Sequence, residues 1–320
     1  MENKTPKITK ETKNKISVDY EGKLSTKERL IHKLKASNTW TTALINVLKF
    51  ILMLGVSYVI LFPFFSKIAG SFMSKDDVID ATVSLIPKNF TFEQYKWIAL
   101  DNNYFGAFLN TLLLSLLCAL IQTFVACLVG YGLSKFKFKG NKLIMMIVVV
   151  TMIIPHSTLD IAMLRHFSSF DLGHIMSLGG IAFKNGLYIY MMRQFFKGVP
   201  DELEESAYVD GSGTFRTFIQ IILPLSVPMM ITIFLFAFSW QWTDQFYTGL
   251  FFIGPNRPWV MPDLIYEIPA HLVTSYAGKA LYENVIQNTA GIMIIFPLII
   301  MYLFCQRYLV QGIERSGIVG

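Results

Sequence analysis

The sequence predicts an all-α, polytopic membrane protein with six transmembrane helices. Hydrophobic residues make up 53% of the 320 residues and charged residues only 16%, and the mean hydropathy is +0.47. A soluble domain carries about 25% charged residues. Six apolar segments are each long enough for the ~20 residues that a helix needs to cross the hydrocarbon core. They span 43–65, 105–133, 143–164, 172–196, 221–246 and 289–309.

A basic tail, residues 1–42, precedes the first apolar segment. Ten of the 28 Lys and Arg residues lie before Trp40. The shortage of aromatic residues predicts a lack of regular structure up to Gly22. Ser25 and Glu28 have the spacing of a capping box, so we expect a short helix there that lies on the anionic inner surface of the membrane. Charge concentrated beside a membrane segment indicates orientation in the membrane, not binding of nucleic acid.

The apolar segments themselves contain prolines and cysteines. We expect the prolines to mark kinks or helix ends, since proline lacks the backbone N–H of a helix interior. The cysteines lack the spacing of a zinc site or a disulfide framework, and we expect them to be buried in membrane helices. The prolines are Pro155, Pro224, Pro228 and Pro297, and the cysteines are Cys118, Cys127 and Cys305.

The distribution of positive charge orients the predicted bundle. The N-terminal tail, alternate connections and the C-terminal end hold 19 Lys and Arg residues, whereas the opposite connections hold seven. The positive-inside rule therefore places both termini and the loop 198–224 in the cytoplasm. The opposite side has two long connections, 66–104 and 248–288, and loops of this length are usually functional. We expect a multi-pass protein of the bacterial cell membrane, with 43–311 as its transmembrane domain and 312–320 as a cytoplasmic tail.

The loop 198–224 carries the signals of two helices joined at a sharp corner. Pro200 suits the first position of a helix, and acidic residues after it favour the positive end of the helix dipole. Gly211 suits the left-handed residue that ends such a helix. The second helix is predicted to begin at Ser212 or Thr214. Its apolar residues have helical spacing and are predicted to share one face: Phe215, Phe218, Ile219 and Ile222.

This loop resembles the EAA signature of the membrane subunits of ABC importers. The signature reads E-A-A-x3-G-x9-I-x-L-P, and the chain departs from it only at Ser206, which replaces the first alanine. In that family the loop is a cytoplasmic coupling helix that docks into a cleft of the ATP-binding subunit. The resemblance therefore implies the type I importer permease fold and assigns a set of residues to ATPase coupling. These are Leu203, Glu205, Ala207, Asp210, Gly211, Leu223 and Pro224.

Angular spacing suggests how these residues divide between two surfaces. Glu205 and Ala207 lie two positions apart, so they point about 200° away from each other on a helix. Ala207 is small and shares a face with Leu203. We therefore expect Leu203, Ala207 and the Gly211 corner to face the ATPase cleft. Glu205 would contact the cleft wall or hydrogen-bond to the second helix of the loop.

Matches outside the loop extend the resemblance to carbohydrate-uptake permeases. They include Asn110 with Thr111, the run from Tyr131 to Phe136, and Gln306 to Gly312 near the end of the chain. The chain is most similar to the second permease of a pair that takes up oligosaccharides. The resemblance implies a second permease subunit, two ATPase subunits and an extracytoplasmic sugar-binding protein as partners. It also implies that ATP and Mg²⁺ bind to the partner ATPase.

No catalytic or cofactor motif is evident in the chain itself. There is no Walker A sequence, no HExxH and no Ser-His-Asp or Cys-His set, so we expect a transport subunit and not an enzyme. Polar residues in membrane segments are costly and often line a pathway, although hydrogen bonds between helices explain them as well. The candidates for a substrate pathway are His156, Asp160, Trp240, Gln241, Trp242 and Asp244.

The alternative interpretation is a proton-coupled secondary transporter. In it, His156, Asp160 and Asp244 would form a proton relay through the membrane. Such a carrier has no need of a loop that docks onto an ATPase, so the loop 198–224 favours the ABC importer.

Overall fold

The computed structural model describes most of the chain, and its described part is largely helical. It covers 8–12, 15–18, 37–155, 158, 161–162, 164–165, 186–252, 258–266 and 279–317. The helices are numbered in chain order, with a π-helix at Phe218–Ile222 between α8 and α9. They are α1 (Ser37–Gly70), α2 (Lys75–Ile79), α3 (Glu93–Leu100), α4 (Tyr104–Lys135), α5 (Asn141–Ile153), α6 (Gly186–Lys197), α7 (Glu202–Val209), α8 (Thr214–Thr217), α9 (Leu223–Thr243), α10 (Phe246–Phe251), α11 (Asp263–Tyr266) and α12 (Lys279–Gly317).

The predicted all-α membrane fold is confirmed. In the part of the chain described here, four helices are long and apolar enough to span a membrane: Thr41–Gly70, Tyr104–Lys135, Thr214–Thr243 and Tyr282–Val310. They correspond to the first, second, fifth and sixth predicted segments. The third and fourth segments contain the shorter helices α5 and α6, and part of each segment lies outside the described residues.

The N-terminal tail differs from its prediction at two short stretches. Strands β1 (Ile8–Thr12) and β2 (Lys15–Val18) pair antiparallel, with Ile8 opposite Val18. The prediction of no regular structure up to Gly22 is therefore wrong for these residues. The prediction used the average composition of the tail, whereas these two stretches contain β-branched residues, which favour strands. The predicted capping box at Ser25 lies outside the described residues.

Residues Met1–Phe65 and Ser66–Gly320 form two compact units, and the second contains the main hydrophobic core. Within it, α4 lies against α6 and α9, and α9 also lies against α12. Pro155 lies just beyond the end of α5, as predicted for a helix edge, whereas α9 continues through Pro228 and α12 through Pro297. Cys118 and Cys127 are buried in α4 as predicted, and Cys305 in α12 is half-buried.

The helices α4 and α6 approach so closely at Gly130 that there is no room for a side chain. A Cβ atom on Gly130 would lie 2.8 Å from Met192 Cβ and 3.0 Å from the backbone nitrogen of Arg193. Gly132 lies two residues further along α4, and a Cβ atom added to it would have no atom of a neighbouring segment within 4 Å. Small residues allow this kind of close backbone approach between membrane helices.

We expect Gly130→Ala to destabilise the folded chain, because forcing extra volume into a packed site costs about 1–3 kcal/mol. The melting temperature of the purified protein in detergent should fall. Gly132→Ala is the matched control, and it should leave the melting temperature unchanged or raise it, since alanine is favoured over glycine in a helix by about 1 kcal/mol. Equal melting temperatures for the two variants would contradict the close approach at Gly130.

The two long connections are anchored by hydrogen bonds. Between α1 and α4, the buried Gln94 Nε2 donates to the carbonyl of Met73 at 2.5 Å. Between α10 and α12, the buried backbone N–H of Met261 donates to Thr111 Oγ1 at 2.8 Å. Asn110 Nδ2 donates to the carbonyl of Trp259 at 2.9 Å. These connections are therefore ordered parts of the second unit where the structure describes them.

Candidate functional site

The short helix α7 is the first half of the predicted corner. Three glutamates lie in its first turn, where their negative charge interacts favourably with the positive end of the helix dipole. The backbone N–H groups of Glu204 and Glu205 both donate to the carbonyl of Asp201 at 3.0 Å. The helix is too short to be stable alone and depends on packing against the rest of the chain.

The corner at Gly211 is a complete Schellman motif. Gly211 has a left-handed backbone with φ of 80°, as predicted for this cap. Its N–H donates to the carbonyl of Tyr208 at 3.0 Å, and the N–H of Ser212 donates to the carbonyl of Ala207 at 2.9 Å. These two bonds satisfy carbonyls that the end of a helix leaves free. The second helix begins at Thr214, one of the two predicted positions.

The inner face of α7 is buried against the rest of the chain. Ala207 is only 5% exposed and Glu204 only 8%. This differs from the expectation that Ala207 faces a partner subunit, because in this structure its methyl group is covered by the chain itself. The sequence spacing placed Leu203 and Ala207 on one face, but Leu203 lies at the edge of that face and is 38% exposed.

The outer face of the corner carries exposed apolar side chains. Val209 is 87% exposed and Phe215 is 74% exposed. Glu205, Asp210 and Gly211 are also exposed. Apolar groups at a polar corner are unusual for a solvated loop, and such patches often mark contacts with other proteins.

A buried lysine holds the start of this corner. Lys135 is the last residue of α4, and its side chain is only 7% exposed. Its Nζ donates to the carbonyl of Val199 at 2.7 Å and to Asp201 Oδ1 at 2.6 Å. Glu204 Oε1 lies 3.9 Å from the same nitrogen. No sequence motif marks the contact of Lys135 with Asp201 and Glu204, although a lysine at the end of a membrane segment and acidic residues in the loop are visible in the sequence.

The surroundings act differently on the two carboxyl groups. The hydrogen bond from Lys135 lowers the pKa of Asp201, which is otherwise open to solvent. Burial raises the pKa of Glu204, and the charge of Lys135 opposes this effect only in part. The difference agrees with the distances, since Lys135 Nζ is hydrogen-bonded to Asp201 and lies 3.9 Å from Glu204.

An aromatic cluster surrounds the other side of Glu204. The Tyr131 hydroxyl is 3.5 Å from Glu204 Oε2, which is the long limit for a hydrogen bond. The Tyr131 ring packs against Phe196 of α6 and Phe218 of the π-helix, with centroids 5.6 Å and 4.6 Å away. Tyr131 and Lys135 lie one helical turn apart, so α4 presents both to the corner.

The π-helix joins the corner to the long helix α9, and Pro224 explains its position. In an α-helix the Pro224 ring would clash with the carbonyl of Gln220. The wider turn avoids this, and the N–H of Leu223 donates to Phe218 five residues earlier. The prediction that the second helix has a single apolar face is wrong, because Phe218 and Ile222 are buried whereas Phe215 and Ile219 are exposed.

Polar candidates at the other end of α9 form a local network. Asp244 carboxylate oxygens accept hydrogen bonds from the N–H of Thr248 at 2.8 Å and from its hydroxyl at 2.9 Å. Gln241 Nε2 donates to the same hydroxyl at 3.1 Å. These contacts hold the start of α10 beside α9.

The two tryptophans of this end occupy different surroundings. Trp242 is 1% exposed, and its indole N–H donates to the carbonyl of Ile294 at 2.9 Å. Trp240 is 66% exposed. His156 and Asp160 lie outside the described residues. The assignment of all these residues to a substrate pathway stays a prediction.

The matching family model is that of the binding-protein-dependent transport system inner membrane component, and it covers residues 122–315. The match includes more than half of the chain and the whole corner. The chain therefore belongs to this family of ABC importer permeases, as its sequence resemblance predicted. It is a multi-pass membrane transport subunit and not an enzyme.

Individual relatives are also named as permeases of transport systems. The chain is 30% identical over 262 residues to the probable starch degradation products transport system permease protein AmyC of Thermoanaerobacterium thermosulfurigenes, covering 80% of this chain and 90% of that protein. It is 27% identical to the arabinooligosaccharides transport system permease protein AraQ of Bacillus subtilis, covering 90% of this chain and 100% of AraQ.

A solved structure has the same fold. It is a bacterial ABC transporter involved in the import of the acidic polysaccharide alginate, and it matches with a TM-score of 0.68 and 20% identity. The match covers 84% of this chain and 97% of the transporter chain.

Proposed function

We propose that the chain is the second permease subunit of an ATP-driven oligosaccharide importer. Its partners are a second permease, two ATPase subunits that bind ATP and Mg²⁺, and an extracytoplasmic sugar-binding protein. The chain forms half of the pathway through the membrane and binds no cofactor itself. The sugar assignment is supported by two similar permeases, whose names refer to starch degradation products and arabinooligosaccharides.

The corner formed by α7, Gly211 and α8 carries the proposal. It joins directly to α9 through the π-helix, so a force on the corner reaches a membrane-spanning helix. Its exposed residues Leu203, Val209 and Phe215 offer an apolar contact surface for the ATPase. Glu205 and Asp210 are exposed at the rim of this surface, and Gly211, Leu223 and Pro224 set its geometry. Ala207 supports the surface from beneath.

The charge distribution orients the chain in this proposal. Both termini and the corner lie in the cytoplasm, because the connections on that side carry most of the Lys and Arg residues. The corner then faces the compartment that holds ATP. The other end of α9, with Trp240, Gln241 and Asp244, belongs to the external half of the pathway. Trp242, together with His156 and Asp160, completes the candidate residues there.

The proton-relay alternative is less well supported. The family match and the relatives are all importer components. Asp244, one of the three relay candidates, already accepts hydrogen bonds from the backbone N–H groups of Tyr247 and Thr248. We therefore propose no proton-coupled mechanism for the chain.

We expect sugar uptake to depend on ATP and not directly on a proton gradient. Proteoliposomes containing the assembled importer, its binding protein and internal ATP should accumulate labelled malto- or arabino-oligosaccharides in the presence of an uncoupler. Vesicles without internal ATP are the control and should show no accumulation. Uptake that stops with uncoupler and continues without ATP would contradict the proposal and favour the proton relay.

A further inference from the structure

Lys135 has a buried side chain and lies outside the EAA signature. Lysine is almost never buried unless it is paired, because its charge is costly to remove from water. The position at the end of α4 accounts for one favourable effect, since positive charge suits the C-terminus of a helix. It does not account for burial, because the chain could leave this side chain in solvent as it does the exposed Lys137 and Lys139.

The contacts of Lys135 all lie in one short stretch of chain. Val199, Asp201 and Glu204 occupy the entry and first turn of α7. A lysine is intrinsically unfavourable near the N-terminus of a helix, where the dipole is positive. The two carboxylates compensate for this. The arrangement thus joins the cytoplasmic end of α4 to the beginning of the corner by charge and hydrogen bonds, across 64 to 69 positions of sequence.

Glu204 gives a second, independent observation. It is 8% exposed, whereas Val209 and Phe215 of the same corner are exposed. Its Oε1 has no hydrogen-bond donor among the described residues and only the ion pair with Lys135. A buried carboxylate with incomplete hydrogen bonding depends on its cation, so any movement of α7 away from α4 is opposed at this point.

We propose that Lys135 is a positioning residue that fastens the start of α7 to the end of α4, so that ATPase-driven movement of the corner is passed to α4 as well as to α9. This inference rests on the proposed function and adds a second route to it. The first route is covalent and runs through the π-helix into α9. The second is non-covalent, and a change of one side chain removes it without altering the path of the backbone.

Removal of the lysine need not unfold the chain. Lys135→Met keeps an unbranched, flexible side chain that is one heavy atom shorter and lacks the charge. Glu204 can become neutral when its cation is lost, because its burial already favours the protonated carboxyl. Asp201 is exposed and can be solvated. The variant is therefore suited to a test in the assembled importer.

The experiment measures the number of sugar molecules transported per ATP hydrolysed, in proteoliposomes with the binding protein and its sugar. We expect Lys135→Met to assemble and hydrolyse ATP but to lower this ratio about tenfold, which lies within the range of coupling between distant sites. Lys135→Arg should have a ratio close to that of the unmodified importer, since arginine keeps the positive charge and the hydrogen-bond donors. Lys139→Met, an exposed lysine in the same connection, is the matched control and should transport normally.

The outcomes separate this inference from the proposed function. A Lys135→Met importer with an unchanged ratio overturns the inference, even if its amount in the membrane is reduced. If the methionine variant does not assemble, the double variant Asp201→Asn, Glu204→Gln removes both carboxylates that pair with Lys135 and is measured in the same way, with an unchanged ratio again overturning the inference. Failure of the proposed function would appear instead in the unmodified importer, as uptake that does not require ATP.

Discussion

Gly211→Val is expected to abolish sugar uptake while leaving the chain in the membrane. The left-handed backbone at φ of 80° costs a residue with a Cβ atom about 1–2 kcal/mol, and a β-branched residue is disfavoured further. The space around Gly211 is open, so the effect arises from the backbone and not from a clash. Loss of the Schellman motif would reorient α7 relative to α8. Uptake and co-purification of the ATPase subunit are the measurements.

Gly213→Val is the matched control for this variant. Gly213 also has open space, but its backbone is extended, with φ of −75° and ψ of 160°, a conformation that valine prefers. We expect this variant to bind the ATPase and transport sugar normally. The interpretation of Gly211 fails if its valine variant retains both ATPase binding and uptake.

Val209→Asp is expected to weaken binding of the ATPase subunit at least about tenfold. Burial of a valine side chain contributes about 1.5–3 kcal/mol, and 1.4 kcal/mol corresponds to a factor of ten in affinity. Val209 is 87% exposed in the isolated chain, so its replacement should not disturb the fold. Binding of purified ATPase to the permease pair in detergent would measure the loss.

Ile86→Asp provides the same change on the side that the proposed orientation places opposite the corner. Ile86 is 84% exposed in the connection between α1 and α4, and we expect no effect on ATPase binding. Cysteines add a positional test once the native Cys118, Cys127 and Cys305 are replaced. A cysteine at Val209 should cross-link to the ATPase, whereas one at the buried Ala207 should not. The reverse pattern, or ATPase binding sensitive to Ile86→Asp and not to Val209→Asp, would contradict the proposed surface or its orientation.

The corner was predictable from sequence because its signals are local. Gly211 is required by a backbone conformation that other residues rarely adopt, and Pro200 indicates the entry to the first helix, although it lies two residues before Glu202 and not at the first helical position as predicted. Both act through the geometry of a few neighbouring residues. The apolar segments were likewise predictable, since the length of a membrane helix follows from the thickness of the bilayer.

The direction in which the corner faces was not predictable in the same way. Helical spacing correctly separated Glu205 from Ala207, but spacing gives relative angles and not the side that the rest of the chain covers. The structure places Ala207 inside and Val209 outside. The same limit applies to the second helix, because its four apolar residues have helical spacing but the chain covers only Phe218 and Ile222.

Contacts between distant segments were also beyond the sequence analysis. Lys135 is one of 28 Lys and Arg residues, and its pairing with Asp201 depends on how α4 and α7 pack together. The network of Asp244, Thr248 and Gln241 depends on a turn after α9 that has no distinctive sequence. In both cases the residue types were visible, but their neighbours were not.

The π-helix makes the length of the corner as important as its composition. Each residue of an α-helix turns the chain by about 100° and advances it by about 1.5 Å. The five residues Phe218–Ile222 therefore set the rotational phase between the corner and α9. Insertion of one residue between the corner and α9 would rotate the contact surface relative to α9 by about a quarter turn without changing any side chain in it. This stretch should therefore accept substitutions between apolar residues more readily than insertions.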